Sequence, residues 1–212
     1  MTYDPTTGTP PSFLIVPGLN NSGASHWQTL WERLLKNSAR ADLGDWKHPD
    51  RDEWVSRLDE AIRSLKPPIV LCAHSLGCHA VAWWAALRAR ADGWPVAGAL
   101  LVAPPECDDN QALPKLPGFS PAPLGKLPFP SILAGSRDDQ YATLAQAKRM
   151  ARDWGSTFID SGSLGHINAD SGIGHWPAGL ALLGRLLSLA GFDRLGQVAR
   201  KQKDENRVLV HA

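Results

Sequence analysis

Three observations predict an α/β domain built on a mostly parallel sheet of about five to six strands, with helices on both faces. Short apolar runs of strand length, Ser12–Pro17, Ile69–Ala73, Val96–Ala103 and Ser131–Gly135, lack polar alternation, as strands buried on both faces require. Segments between them place apolar residues at helical spacing. The two kinds alternate along the chain, which is the pattern of βαβ units.

The elements follow in order. Met1–Pro11 is rich in Thr, Pro and Gly and reads as a loose leader, without the basic start and apolar stretch of a signal peptide. The first strand ends at Pro17-Gly18, and a Gly/Asn/Ser loop leads into a helix over His26–Lys36 with Trp27, Leu30, Trp31, Leu34 and Leu35 on one face. Ala41-Asp-Leu43 carries a faint strand pattern. Asp52–Leu65 repeats the helical spacing, and Pro67-Pro68 separates it from the second clear strand. A helix rich in Ala and Trp follows from about Leu76 to Ala91. Helix Thr143–Trp154 follows the Ser131–Gly135 strand, then a short strand Thr157–Asp160 and a closing helix Ala178–Leu189. The domain spans 12–192, and 193–212 is a charged tail.

Composition narrows the function classes. The 212 residues suit one domain with a full core. With 22 Lys and Arg against 21 Asp and Glu, the net charge of +1 offers no electrostatic case for nucleic acid or an anionic membrane. No apolar run approaches the roughly 18 to 20 residues that span a bilayer. Cys72, Cys78 and Cys107 are too few and too scattered for a disulfide framework, which predicts a cytoplasmic setting. The nine tryptophans read as core packing.

The chemistry-bearing signal is Ala73-His74-Ser75-Leu76-Gly77, lying between a buried strand and a helix. Such a pentapeptide is common; its strand-before, helix-after context is that of a nucleophile elbow, which defines the α/β-hydrolase fold. Small residues two before and two after the serine let strand and helix approach, and the helix N-terminus points N–H groups at a developing oxyanion. Serine needs a base, and in this fold acid and histidine follow it in that order at later strand ends. Ser136-Arg-Asp-Asp139 follows the fourth strand and Gly165-His166-Ile-Asn168 follows the fifth. His166 is the candidate base and His175 the runner-up; Asp138 and Asp139 both remain open as the acid. Leu76 and Leu19 are the candidate backbone oxyanion donors. Asn20, His26 and Trp27 are candidate pocket residues, and His74 is expected to shape the elbow.

Taken together, Val16-Pro-Gly-Leu-Asn-Asn-Ser-Gly-Ala-Ser-His-Trp27, Ala73-His-Ser-Leu-Gly-Cys78, Leu127-Pro-Phe-Pro-Ser131 and Gly165-His-Ile-Asn-Ala169 with Gly172 and Trp176 resemble the small serine hydrolases related to the retinoblastoma-binding serine hydrolase and YdeN-like proteins. The resemblance covers roughly Phe13–Leu187. It implies a Ser-Asp-His triad and no cofactor. The family pattern Ser-x-x-Asp-Pro-Tyr appears here as Ser136-Arg-Asp-Asp-Gln-Tyr141, with Gln140 in place of proline. Aligning its Ser and Tyr assigns the acid to Asp139. The family's pocket-protein motif Leu-x-Cys-x-Glu is absent, the nearest stretch being Leu76-Gly-Cys-His-Ala80.

No phosphate-loop pattern and no His-Glu-x-x-His zinc motif occurs. The predicted activity is hydrolysis of a carboxylic ester, thioester or amide through an acyl-enzyme, on a small-molecule acyl substrate, without metal or cofactor. A binding module on the same fold, or an acyltransferase using the same triad, is the alternative. The proline-rich connection Pro104–Pro130 reads as a lid, and its Leu113, Leu116, Phe119 and Leu124 predict a small, mostly apolar acyl group.

Overall fold

The computed structural model describes residues 9–88, 94–108, 116 and 118–192. The leader up to Gly8, the tail 193–212 and Leu113 lie outside the described residues. Six strands, β1 (Ser12–Val16), β2 (Ser38–Arg40), β3 (Ile69–His74), β4 (Val96–Val102), β5 (Ser131–Gly135) and β6 (Thr157–Asp160), form one sheet in the order β2-β1-β3-β4-β5-β6. Every neighbouring pair is parallel. This is the α/β-hydrolase fold.

The helices are α1 (Trp27–Leu34), α2 (Arg51–Ser64), α3 (Leu76–Leu87), α4 (Leu144–Asp153) and α5 (Pro177–Leu189). Strand order decides which face each covers. The chain steps from β1 out to β2 in one direction, then returns past β1 to β3 and onward in the other. Right-handed crossovers therefore put α1 on one face and α2, α3 and α4 on the opposite face. Alternate strand residues serve the two cores accordingly. Leu14, Val16, Leu71, Leu101 and Leu133 meet Trp54, Leu58, Ile62, Val81 and Met150. Phe13, Ile15, Val70, Leu100 and Ile132 meet Trp27, Trp31, Leu183 and Leu186. Each such fully buried aliphatic side chain contributes about 1.5–3 kcal/mol relative to exposure.

The faint strand lies earlier than its apolar residues suggest. Ser38–Arg40 pairs with Phe13–Ile15, while Ala41 and Leu43 are buried beyond the strand as core residues. As an edge strand, β2 is half-buried throughout, so it carries no apolar run to betray it.

The Pro104–Pro130 connection contributes to the core. Phe119 is fully buried, edge-on to Trp54 at 5.7 Å between ring centres, and Leu116 packs on the same cluster. Leu124 is 83% exposed. The tryptophans are largely packing residues: Trp27, Trp31, Trp54, Trp84 and Trp154 are all buried.

Candidate active site

The chain reverses its direction across the sheet between β1 and β3, and a crevice opens at the carboxyl ends of these two strands, where open α/β sheets bind ligands. There the Val16 and Cys72 carbonyls accept hydrogen bonds from the Gln28 side-chain amide at 3.1 and 2.9 Å. The Ser22 hydroxyl donates to the Gln28 carbonyl oxygen at 2.6 Å. Gln28 is fully buried, and its amide holds the two strand ends together. Sequence reasoning missed it, because a lone Gln in a helix pattern carries no signal of its own.

Ser75 sits on the turn from β3 into α3 with φ 53° and ψ −129°, a conformation that strains any residue with a Cβ. Serine before a helix normally caps the first-turn N–H groups with its own oxygen. Here it makes no such bond, and Oγ lies 2.9 Å from His166 Nε2. Close backbone approach fixes the turn. A Cβ on Gly18 would lie 2.7 Å from Ser75 Cβ and 2.9 Å from the His74 carbonyl oxygen. A Cβ on Gly77 would lie 2.5 Å from both the Val16 and Pro17 carbonyl oxygens.

His166 Nδ1 lies 3.0 Å from each carboxylate oxygen of Asp139. The Asp139 side chain is 3% exposed, and its Oδ1 also accepts from the Tyr141 N–H at 2.9 Å. Asp138 points elsewhere: its Oδ1 accepts from the Ser136 hydroxyl and from the Gly165 N–H, both at 2.8 Å. Those bonds, led by the Ser136 hydroxyl, hold its carboxyl below the usual carboxylate range. Asp138 thus joins the loop after β5 to the loop carrying His166. It does not cap α4, whose cap is Thr143 in a capping box with Gln146.

Two further histidines adjoin the base. The His74 ring donates from Nε2 to the His166 carbonyl oxygen at 2.9 Å, and its ring centre lies 4.9 Å from that of His166. Burial, reinforced by the His166 and His26 rings, pushes its pKa well down, so it stays neutral. His26 caps α1, its Nδ1 accepting from the Gln28 N–H at 3.1 Å. That bond puts the proton of the neutral ring on Nε2, which is buried without a partner among the described residues. Burial, then Arg40 and His166, lowers its pKa to about 4.

A cleft of about 360 Å³ opens over Ser75 and His166, lined by Leu19, Asn20, Asn21 and His26 on one side and Asn168 and Asp170 on the other. Asn20 and Asn21 N–H groups are taken up by Trp46 and Gly18 carbonyls, whereas Leu19 N–H, on the cleft wall, donates to no backbone carbonyl among the described residues. Leu76 N–H, at the first turn of α3, has no acceptor within the helix. Trp27 does not line the cleft. It is fully buried, and its indole donates to the Ile167 carbonyl at 2.9 Å, which fixes the His166 loop from behind. His175 is exposed and also lies outside the cleft, its carbonyl accepting from the Trp31 indole at 2.7 Å. None of Leu116, Phe119 and Leu124 lines it either; its apolar surface comes instead from residues such as Leu19, Tyr141 and Ala169.

The thiols take no part. Burial raises Cys72 to about 12 and pushes Cys78 higher still, and burial beside Glu106 and Asp108 raises Cys107 to about 12. No group of three or more His, Cys, Asp or Glu side chains suited to a metal ion occurs among the described residues, nor does a helix long and apolar enough to cross a membrane.

The family model described as serine hydrolase matches residues 13–185. A YdeN-like hydrolase from Pectobacterium atrosepticum SCRI1043 superposes with a TM-score of 0.73 at 28% identity, over 84% of this chain and 91% of that one. The ydeN gene product of B. subtilis superposes with a TM-score of 0.71 at 21% identity, over 84% of this chain and all of that one. The type II thioesterase BorB from the borrelidin biosynthetic cluster shares the fold, with a TM-score of 0.60 at 18% identity over 88% and 96% of the two chains. No curated protein matches the chain. An elbow serine in hydrogen-bond reach of a histidine, on this sheet and across this length of matched sequence, makes the chain a member of the serine hydrolase family.

Proposed function

We propose that the protein hydrolyses carboxylic esters, thioesters or amides through an acyl-enzyme on Ser75. The observation that carries this is the single imidazole of His166 held between Ser75 Oγ at 2.9 Å and the Asp139 carboxylate at 3.0 Å. His166 Nε2 takes the serine proton as Oγ attacks the carbonyl carbon, then delivers it to the leaving group. Asp139 holds Nδ1–H, fixes the tautomer and stabilises the imidazolium. Leu19 and Leu76 N–H groups receive the oxyanion. Water then repeats the sequence and releases the acid.

The motifs shared with the small serine hydrolases related to the retinoblastoma-binding serine hydrolase support this common apparatus, although the Leu-x-Cys-x-Glu segment is lacking. Three unpaired thiols support a reducing, cytoplasmic setting. The test is a fluorophosphonate probe together with p-nitrophenyl acetate hydrolysis. Wild type should be labelled at Ser75 and turn over the ester, and Ser75→Ala should do neither. Labelling at another serine with Ser75 untouched overturns the assignment.

A further inference from the structure

Asn20 and Asn21, in the loop after β1, follow one another at φ 64° and 61°. Asparagine tolerates this left-handed region better than most residues, but two in succession hold only where the surroundings fix them. The Asn21 N–H closes a turn on the Gly18 carbonyl at 3.0 Å, and Leu19 lies inside that turn. At its Gly18 end the turn abuts Ser75. At its Asn21 end stands Arg40, the last residue of the edge strand β2, with its side chain 19% exposed. Arg40 Nη1 donates to Asn21 Oδ1 at 2.8 Å and to the Ser22 carbonyl at 3.0 Å. Its Nη2 donates to the Thr29 hydroxyl at 2.6 Å, which in turn donates to the same Ser22 carbonyl at 2.9 Å. Glu32, on α1, accepts from Nε at 2.9 Å and completes an ion pair. None of Arg40, Thr29 and Glu32 lines the cleft.

Resting on the proposed acyl-enzyme reading, we infer that Arg40 is a positioning residue of the oxyanion hole: from outside the cleft, its guanidinium fixes the turn that carries the Leu19 N–H. An oxyanion donor stabilises the transition state only when it is held in place before the charge develops. A turn with two successive left-handed residues relaxes unless something grips it, and relaxation would swing Leu19 with it. The grip needs a planar fork of donors. A lysine ammonium is a single point of charge and cannot serve Asn21, Ser22, Thr29 and Glu32 from one place. Arg40 never meets the substrate; its effect runs through Leu19.

The experiment compares p-nitrophenyl acetate with its thiono analogue, in which sulfur replaces the carbonyl oxygen. Sulfur is the weaker acceptor, so the ester gains more from the oxyanion donors than the thionoester does. Expected is a fall of about tenfold in the ester-to-thionoester ratio of kcat/KM for Arg40→Met and for Arg40→Lys, carried by the ester. Thr29→Val, isosteric but without the bridging hydroxyl, should shift the ratio the same way by less. Arg88→Met, which breaks the ion pair to Asp59 at the far end of α3, should leave the ratio at its wild-type value. Because each ratio is taken within one protein, a loss of folded fraction cancels. A ratio unchanged in Arg40→Lys and Thr29→Val, or an equal fall in Arg88→Met, overturns the inference while leaving Ser75 chemistry standing. Failure of the wild type on both substrates together with failure of fluorophosphonate labelling overturns the acyl-enzyme reading itself.

Discussion

Gly18 and Ser75, distant in sequence, meet so closely that a methyl group on the first would lie 2.7 Å from the Cβ of the second. The other neighbours of that methyl would be the His74 carbonyl oxygen and the Leu76 nitrogen at 2.9 and 3.0 Å, both backbone atoms that cannot swing aside. Gly18→Ala must therefore move the elbow or the Leu19 loop. The expected cost is about 1–3 kcal/mol of stability and at least about a tenfold loss of kcat/KM, since small misplacements at such a site are expensive. Urea unfolding and esterase kinetics on the same preparation check it; wild-type activity in the variant would show that the approach is not needed.

Ser75 is held at φ 53° and ψ −129°. Alanine and glycine both remove the hydroxyl, but only glycine relieves the backbone. Ser75→Gly is expected to be more stable than Ser75→Ala by about 1 kcal/mol, with both inactive. Thermal denaturation of the pair measures the strain directly, and an alanine variant at least as stable as the glycine one would show that the turn is unstrained.

Asp138 and Asp139 adjoin in sequence but bind different partners. Asp139→Asn removes the acceptor that fixes the His166 tautomer, and a loss of about 10⁴ in kcat is expected by analogy with serine proteases. Asp138→Asn keeps an oxygen for the Ser136 hydroxyl and the Gly165 N–H, so a loss below about tenfold is expected. Asp138→Ala leaves Gly165 N–H without its acceptor and should cost more than the asparagine variant. Steady-state kinetics after circular dichroism decide it: a crippled Asp138→Asn beside a near-normal Asp139→Asn would reverse the assignment.

Burial keeps His26, His74 and His79 neutral in the folded protein. His26 gains a proton in the native state only near pH 4, against an ordinary value of 6.5. Between those values the unfolded chain binds the extra proton, so its contribution to stability is complete above about pH 6.5 and lost as pH falls toward 4. From pH 7 to pH 5 the loss due to His26 is about 2 kcal/mol. His26→Asn, which retains a capping acceptor for the Gln28 N–H, should show a correspondingly smaller drop. Urea titrations at the two pH values check it, and an equal drop in both proteins would count against a neutral buried His26.

Much of this molecule is legible along the chain. β5 begins and ends where its apolar run predicts, because a strand in the covered middle of a parallel sheet must be apolar on both faces. Ser75 is legible because the elbow needs small residues around it, and Gly77 supplies the space that the Val16 and Pro17 carbonyls would otherwise deny. His166 follows from chain order. The Ser136 and Tyr141 spacing points to Asp139.

Other features became visible only in three dimensions, because they depend on which chain segments the sheet brings together. Two adjacent aspartates look alike in sequence. One turns to an imidazole and the other to a backbone N–H on the same loop, a choice made by the placement of β5 beside β6. Trp27 was legible as large and apolar, but its burial behind Ile167 rather than in the cleft depends on where α1 meets the His166 loop. The expected lid residue Phe119 finds Trp54 in the core. Gln28 has no local pattern at all. It matters because the fold brings its side-chain amide to the Val16 and Cys72 carbonyls at the carboxyl edge of two neighbouring strands. Local periodicity records which faces a residue must hide from water; it does not record which distant segment will stand opposite.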